Sequence, residues 1–85
     1  MSYTIIYQDH VIKDHIPSLG TKAKSMIKKS IEDRLTADPI GLGKPLRYAL
    51  RGHRSLRVSN YRVIYKIEKD VVTVVAIKHR KNAYL

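Results

Sequence analysis

The sequence predicts an α+β fold in which a helical hairpin packs on one face of an antiparallel β-sheet. Two observations predict it. Segments of β and helix type follow one another in the order β-α-α-β-β-β, and each has the apolar periodicity of its type. The 85 residues, 44% of them hydrophobic, fit a single small domain that spans residues 1–85 and has a modest core.

The chain opens with a strand and a short helix. Residues 3–7 combine Tyr, Thr and Ile, which favour strands, and polar residues close the run. Asp9 is a candidate N-cap for a helix that extends to Leu19. Gly20 is expected to end this helix, since glycine is the usual residue just past a helix C-terminus.

Thr21 is predicted to cap a second, longer helix that extends to about Asp38, where Pro39 ends it. Apolar residues recur along it at three- and four-residue steps and form one stripe. They are Ala23, Met26, Ile27, Ile31 and Leu35. Residues 40–45 follow as a loop, and an extended arm continues to residue 50.

Residues 53–67 predict a β-hairpin around which the rest is organised. Ser59 and Asn60 fill a two-residue turn, because Asn tolerates the positive φ that such turns need. This turn sets Arg57 opposite Arg62, and period-two alternation then sorts the side chains onto two faces. The core face holds Leu56, Val58, Tyr61, Val63 and Tyr65. The open face holds His53, Ser55, Arg57, Arg62, Ile64 and Lys66.

The last strand is the most apolar segment of the chain. After a turn at residues 68–70, residues 71–77 are nearly all aliphatic and β-branched. This composition predicts a strand buried on both faces in the middle of the sheet. Residues 79–85 follow as a polar, basic tail.

The charge of the chain is strongly uneven. Seventeen Lys and Arg against seven Asp and Glu give a formal net charge of +10. Residues 1–43 hold six basic and five acidic side chains, whereas residues 44–85 hold eleven basic and two acidic ones. A basic half of this kind is typical of proteins that bind nucleic acid.

Several classes of protein are disfavoured. The chain has no cysteine, which rules out disulfides and thiolate metal sites and fits a reducing cytoplasm. Its four histidines do not combine with carboxylates at metal-ligand spacing, so no metal site is expected. No signal peptide is expected at the start, and no apolar run approaches the roughly 20 residues of a membrane-spanning helix.

The pairing of Arg57 with Arg62 indicates a binding site. Like charges directly opposite each other on neighbouring strands are destabilising. A pair of this kind suggests that an anion is held between the two side chains, and phosphate suits the guanidinium group best.

The order of elements and several motifs resemble the RelE/ParE superfamily of bacterial toxins. The motifs are a Leu-x-Gly break at Leu50, LRVSNYRVIY at residues 56–65 and VVAIKHRKNAY at residues 74–84. The resemblance covers essentially the whole chain and is strongest from residue 44 to residue 84. It implies the toxin of a type II toxin–antitoxin system, of the RelE type. Such toxins are metal-independent, ribosome-dependent endoribonucleases that inhibit translation by cleaving mRNA in the decoding site.

The resemblance also implies roles for individual residues. Arg62 falls at the position of the arginine that stabilises the transition-state phosphate. Arg80 falls at that of the arginine proposed as general acid. Tyr84 matches the aromatic residue that stacks on a substrate base, and Arg57 matches a strand arginine that contacts the RNA backbone.

The chain departs from the RelE pattern at two positions. His53 and Ser55 stand where that pattern has two lysines on the open face. His53 is the candidate general base, since an imidazole titrates near neutral pH, although a strand-start residue without a role fits the sequence equally well. His79 is a reserve candidate for acid–base chemistry. Further RNA contacts, made without reading sequence, are expected from Lys44, Arg47, Arg51, Arg54, Ser55, Lys66, Lys78, His79 and Lys81.

Two other functions stay open at this point. One is inhibition of DNA gyrase, as in ParE-type members, which share the fold but lack the basic catalytic set. The other is a catalytically weak module that binds nucleic acid or an antitoxin, which the two missing lysines favour. The presence of Arg57, Arg62, Arg80 and Tyr84 together favours the nuclease.

The resemblance implies the partners as well. They are a cognate acidic antitoxin of the RelB type covering residues 44–85, mRNA in the ribosomal decoding site, and operator DNA contacted indirectly through the toxin–antitoxin complex. A cytoplasmic location is expected, with no cofactor and no membrane partner.

Overall fold

A five-stranded sheet in the order β1-β5-β4-β3-β2 forms the body of the molecule. The structure is a computed structural model that describes residues 2–82. The strands are β1 (Thr4–Tyr7), β2 (Lys44–Pro45), β3 (Arg54–Val58), β4 (Tyr61–Glu68) and β5 (Val71–His79). The helices are α1 (Thr21–Ser30) and α2 (Pro39–Leu42), with π-helical turns at Val11–His15 and Ile31–Leu35 and 3-10 turns at Tyr48–Leu50 and Arg80–Asn82. None of the helices in the described part of the chain is long and apolar enough to span a membrane.

The α+β class is confirmed, and the sheet is mixed rather than wholly antiparallel. Neighbouring strands β2 to β5 pair antiparallel, whereas β1 pairs with β5 in parallel, with Thr4 opposite Val71. Two tight hairpins fix the directions of β3, β4 and β5. The connection after β1 is long and largely helical, as a parallel neighbour requires, so β1 can join the free edge of β5 in either direction.

The predicted helical stripe packs as expected. Ile27, Ile31 and Leu35 are buried against the core face of the sheet, where Val63, Tyr65, Val72 and Val74 are fully buried. The predicted second helix corresponds to α1 and the π-helical turn after it, and it differs from the prediction in detail. Gly20 occupies the N-cap position, Thr21 is the first helical residue, and the second half continues as the π-helical turn Ile31–Leu35.

The predicted hairpin register is confirmed. Arg57 lies opposite Arg62 and Leu56 opposite Val63, with Ser59 and Asn60 between the strands. The positive φ of the turn lies at Ser59, at 54°, and not at Asn60.

The open face of the sheet is less exposed than the alternation predicts. Ser55, Ile64 and Ala76 lie side by side across β3, β4 and β5, and each is less than 9% exposed. β5 is an interior strand between β1 and β4, but on this face Val71 and Thr73 are only half-buried. The expectation of burial on both faces is therefore correct only for the second half of β5.

The segment predicted as a loop after the second helix is partly helical. The Asp38 carboxylate accepts a hydrogen bond from the Gly41 amide at 2.9 Å and so caps α2. The hydroxyl of Tyr65, from the middle of β4, donates to the Pro39 carbonyl at 2.5 Å. Burial raises the pKa of Tyr65, with the Asp38 carboxylate adding to the effect against the opposing influence of Arg54. Tyr65 therefore ties the α2 segment to the sheet.

Two histidines complete the edge of β5 beyond the end of β1. β1 pairs only as far as Tyr7 opposite Val74. Past that point, His10 Nε2 lies 2.6 Å from the Val75 carbonyl oxygen, and His15 Nδ1 accepts a hydrogen bond from the Ile77 amide at 3.0 Å. Burial lowers the pKa of His15, and the neighbouring charges of His10 and Lys78 lower it further, against a smaller opposing influence of Asp14.

Replacement of Gly43 by alanine is expected to destabilise the protein. A Cβ at this position would overlap the hydroxyl of the buried Tyr65. Overpacking of this kind costs about 1–3 kcal/mol in the free energy of unfolding, which chemical denaturation measures. Gly20→Ala is the matched control, because no atom outside its chain neighbours lies within 4 Å of an added Cβ. A control variant as unstable as Gly43→Ala would contradict this account.

The free energy of unfolding is expected to fall as the pH drops below about 6.5, in part because of His15. The direction follows from the lowered pKa of His15 in the folded state. As the pH falls, the unfolded chain binds the proton before the folded chain does, and this proton binding stabilises the unfolded state. His15→Asn keeps an acceptor near Nδ1 but does not titrate. We expect its unfolding free energy to fall less steeply between pH 7.5 and 5.5 than that of the wild type. Equal slopes would contradict this role of His15.

Candidate nucleic-acid interface

A basic cleft lies at the turn end of the β3–β4 hairpin. It has a volume of about 230 Å³. Six residues line it, and three of them are arginines: Arg57, Ser59, Asn60, Tyr61, Arg62 and Arg80. The cleft thus brings together three of the predicted site residues, from β3, from β4 and from the start of the tail.

Hairpin register places the first two arginines. Arg57 and Arg62 are direct cross-strand partners, and Arg62 is in turn opposite Lys78 on β5. Three cations therefore form one row across three neighbouring strands, with backbones about 5 Å apart. Arg57 also donates weakly from Nε to the Ser59 carbonyl at 3.4 Å, which turns its side chain toward the cleft.

A backbone hydrogen bond brings the third arginine to the hairpin. The Arg80 amide donates to the Asn60 carbonyl in the β3–β4 turn at 2.6 Å. The chain then enters the 3-10 turn Arg80–Asn82, where the Lys81 amide donates to His79 Nδ1 at 3.3 Å. The start of the tail is thus tied to the turn at Arg80.

The electrostatics of the cleft favour an anion. Its six lining residues include three guanidinium groups and no carboxylate. No acidic residue occurs in the sequence between Asp38 and Glu68. Three nearby guanidinium groups, with the hydroxyl groups of Ser59 and Tyr61, match the charge and hydrogen-bonding capacity of a phosphate. Within residues 2–82 no three His, Asp or Glu side chains are grouped as metal ligands.

His53, the candidate general base, is not among the residues that line the cleft. It precedes β3, four residues before Arg57, which places it about 13 Å away along the strand. Its Nδ1 atom is buried without a hydrogen-bond partner among the described residues. His53 and Arg57 lie on the same face of the sheet by alternation, but four residues of extended chain separate them.

Neither Arg54 nor Ser55, two of the predicted RNA contacts, lines the cleft. Arg54 donates to the carbonyl oxygens of Ile40 at 2.5 Å and Gly43 at 2.9 Å, because its place in the alternation directs it away from the face of Arg57. Its guanidinium group therefore supports the α2 segment. Ser55 lies on the face of Arg57 but is only 8% exposed, so its hydroxyl contributes little surface.

The other predicted RNA-contacting residues surround the cleft or lie farther along the sheet. Lys78 is half-buried in the cation row, and Lys81 is exposed in the tail. His79 packs edge-on against the Tyr61 ring, with centroids 5.1 Å apart. More distant from the cleft, Lys44, Arg47 and Arg51 are exposed around the arm, and Lys66 forms an exposed ion pair with Glu68 at 3.4 Å. Tyr84 lies outside the described residues.

The sequence pattern predicts no binding role for Ser59, Asn60 or Tyr61. All three line the cleft. The signal was available, because turn residues between two opposed arginines necessarily lie next to both side chains. Tyr61 was assigned to the core, and the structure shows it half-buried at the boundary between core and cleft.

Comparison of the sequence with known proteins finds a family match and a related protein, both from toxin–antitoxin systems. Residues 9–84 match the family described as the ParE toxin of the type II toxin–antitoxin system, parDE. Toxin RelG of Mycobacterium tuberculosis (strain ATCC 25618 / H37Rv) is 30% identical over 86 residues, which cover 99% of this chain and 98% of that protein.

Solved structures agree with the sequence comparison. The toxin–antitoxin complex RelBE2 from M. tuberculosis contains a chain with a TM-score of 0.88 and 26% identity, with coverage of 96% of this chain and 95% of that one. The isolated E. coli RelE toxin has a TM-score of 0.73 at 21% identity, covering 92% and 84%, and this second likeness concerns the fold alone.

Removal of one arginine of the opposed pair is expected to stabilise the protein at low ionic strength. Arg57→Gln should raise the free energy of unfolding by about 0.2–1 kcal/mol, because it relieves cross-strand repulsion. The gain should shrink as salt screens the wild-type repulsion. Lys29→Gln, on the exposed face of α1, is the matched control for loss of one charge. Denaturation of the three proteins at 10 mM and 300 mM salt tests this, and a salt-independent destabilisation by Arg57→Gln would contradict it.

Proposed function

Because this chain belongs to the RelE/ParE family of toxins of type II toxin–antitoxin systems, we propose that it is a RelE-type endoribonuclease that cleaves mRNA in the decoding site of the ribosome. The observation that supports this most is the convergence of Arg57, Arg62 and Arg80 on one cleft. ParE-type members of the superfamily lack this set of basic catalytic residues. A cleft with three guanidinium groups suits a phosphate, which is the one charged group that recurs along an RNA chain.

The proposed reaction needs no metal, and no water molecule attacks the phosphorus. The 2′-hydroxyl of the RNA attacks the adjacent phosphorus, a pentavalent phosphorane forms, and the bond to the 5′-oxygen breaks. Arg62 stabilises the negative charge of the phosphorane, since electrostatic preorganisation at a developing anion is often the largest catalytic contribution. Arg80 protonates the departing 5′-oxygen, and Arg57 holds a neighbouring backbone oxygen.

Removal of the proton from the 2′-hydroxyl is not assigned to His53. An imidazole must come within about 3 Å of the proton it takes, directly or through one water, and His53 is about 13 Å along the strand from Arg57. The proposal leaves this proton to water or to groups of the ribosome. Alignment of the RNA for in-line attack is then the main contribution of the ribosome, worth orders of magnitude in rate.

A gyrase inhibitor is the second candidate, because the family that matches residues 9–84 is described as the ParE toxin. Inhibition of gyrase requires a protein-binding surface and no nuclease chemistry. Expression of the protein should distinguish the two, since a nuclease produces cleaved transcripts and a gyrase inhibitor produces an SOS response to DNA damage. We expect cleaved transcripts without an SOS response.

The proposed partner is an acidic antitoxin of the RelB type. The related M. tuberculosis structure is a toxin–antitoxin complex, which supports a partner of this class for the present chain. Residues 44–85 carry eleven basic and two acidic side chains, so an acidic segment would complement them. The complex would contact operator DNA through the antitoxin, and both proteins would act in the cytoplasm.

Arg62→Ala and Arg80→Ala are each expected to lower the rate of transcript cleavage by about 10²–10³, the usual loss when one charge-stabilising group is removed from an active site. Primer extension on a defined transcript, with and without ribosomes, measures the effect. Lys29→Ala removes one charge from the exposed face of α1 and should cleave like the wild type. Full activity of both arginine variants would overturn the mechanism.

A further inference from the structure

The loop between β2 and β3 presents an unusually exposed aromatic side chain. Tyr48 is 91% exposed, and it is preceded by Arg47 and followed closely by Arg51, both also exposed. The proposed cleavage chemistry does not use any of the three as a reacting group. A ring this exposed adds almost nothing to the hydrophobic core and is accessible to a ligand.

Main-chain hydrogen bonds hold this loop in one conformation. The Leu46 amide donates to the His53 carbonyl and the His53 amide to the Leu50 carbonyl, both at 3.0 Å. Within this closed loop, the Leu50 amide donates to the Arg47 carbonyl at 3.2 Å, and the Arg51 amide donates to the Tyr48 carbonyl at 3.0 Å. Because the backbone is fixed in this way, Tyr48 is presented with little loss of chain entropy when it binds a ligand.

The backbone at Tyr48 is in the left-handed region, with φ of 59°. A bulky residue rarely adopts this conformation, because its Cβ crowds the following carbonyl. Gly52, in the same loop, has φ of 92°, which suits glycine. The loop therefore bears conformational strain at Tyr48, which is 91% exposed, and strained backbone of this kind is concentrated at sites that bind ligands.

The charge around Tyr48 identifies the class of ligand. Residues 39–67 contain seven Lys or Arg and no Asp or Glu. Arg47 and Arg51 lie within three positions of the ring, and Lys44 follows α2 in the adjacent strand. An exposed aromatic ring between guanidinium groups is suited to an unpaired nucleobase, which stacks on the ring while its phosphates contact the arginines.

We propose that Tyr48, Arg47 and Arg51 form a second contact site for single-stranded RNA, separate from the cleft. β3 runs from this loop to the hairpin turn, so the length of a five-residue strand, about 16 Å, separates the two sites. Tyr48 stacks on one unpaired base, and the two arginines hold its flanking phosphates. The inference rests on the proposed function only in taking RNA as the ligand, and it holds whether or not the cleft is catalytic.

Binding of a 12-nucleotide, unstructured, 2′-O-methylated RNA tests the proposal by fluorescence anisotropy, because this RNA cannot be cleaved by 2′-hydroxyl attack. Tyr48→Ala should weaken binding about 5- to 150-fold, the range for loss of one stacked base. Tyr48→Phe keeps the ring and should bind within about twofold of the wild type. Ile12→Ala, at an apolar residue that is 53% exposed outside the arm, is the matched control and should not change binding.

Tyr48→Gly separates a binding role from a structural one. Glycine relieves the positive φ, so this variant should melt a few degrees above Tyr48→Ala while binding RNA no better. A ring with a merely structural role would instead lower the melting temperature in every variant that lacks it.

Two outcomes would overturn the proposal. One is unchanged RNA affinity in Tyr48→Ala, whether or not the variant loses affinity for an acidic protein partner. The other is a loss of affinity in Tyr48→Phe equal to that in Tyr48→Ala. Arg62→Ala, measured in parallel, separates this proposal from the cleft: weakened binding there with unchanged binding in Tyr48→Ala would retain the proposed function and reject the second site.

Discussion

The structure depends on one constraint, the register of the β3–β4 hairpin. With Ser59 and Asn60 as its turn, Arg57 must lie opposite Arg62, and Leu56, Val63 and Tyr65 must face the core. A shift by one residue would exchange the two faces, burying arginines and exposing the core. The same register that completes the core therefore assembles the cleft and sets the like charges of Arg57 and Arg62 opposite each other.

The tail contributes to the cleft by a related main-chain contact. Since the Arg80 amide bonds to the Asn60 carbonyl, the third guanidinium group is positioned by the turn itself. On the opposite side of the hairpin, Arg54 and Tyr65 secure the α2 segment from which β2 follows. Two arginines of one strand thus have different surroundings, because alternation directs Arg57 to the open face and Arg54 toward the α2 segment.

Local sequence patterns were sufficient to predict the hairpin, the helical stripe and the α+β class, because each depends on periodicity or on a turn a few residues long. The parallel pairing of β1 was not predictable in this way, since a long helical connection allows either direction. The placement of Arg54 against the α2 segment follows from alternation, whereas its positive charge alone predicts a contact with RNA. His53 was chosen for its chemistry, and only strand length separates it from the cleft. Tyr48 carried no sequence signal, because its exposure and positive φ arise from the closed loop.

The products of cleavage test the central claim most directly. A ribosome-bound mRNA with a single 2′-deoxy nucleotide at a mapped cleavage position would be compared with the unmodified transcript under the same conditions. The present account predicts that the unmodified RNA is cut and leaves a 5′-hydroxyl on the downstream fragment, while the deoxy linkage stays intact. Cleavage at the deoxy linkage, or a 5′-phosphate on the downstream fragment, would contradict the account.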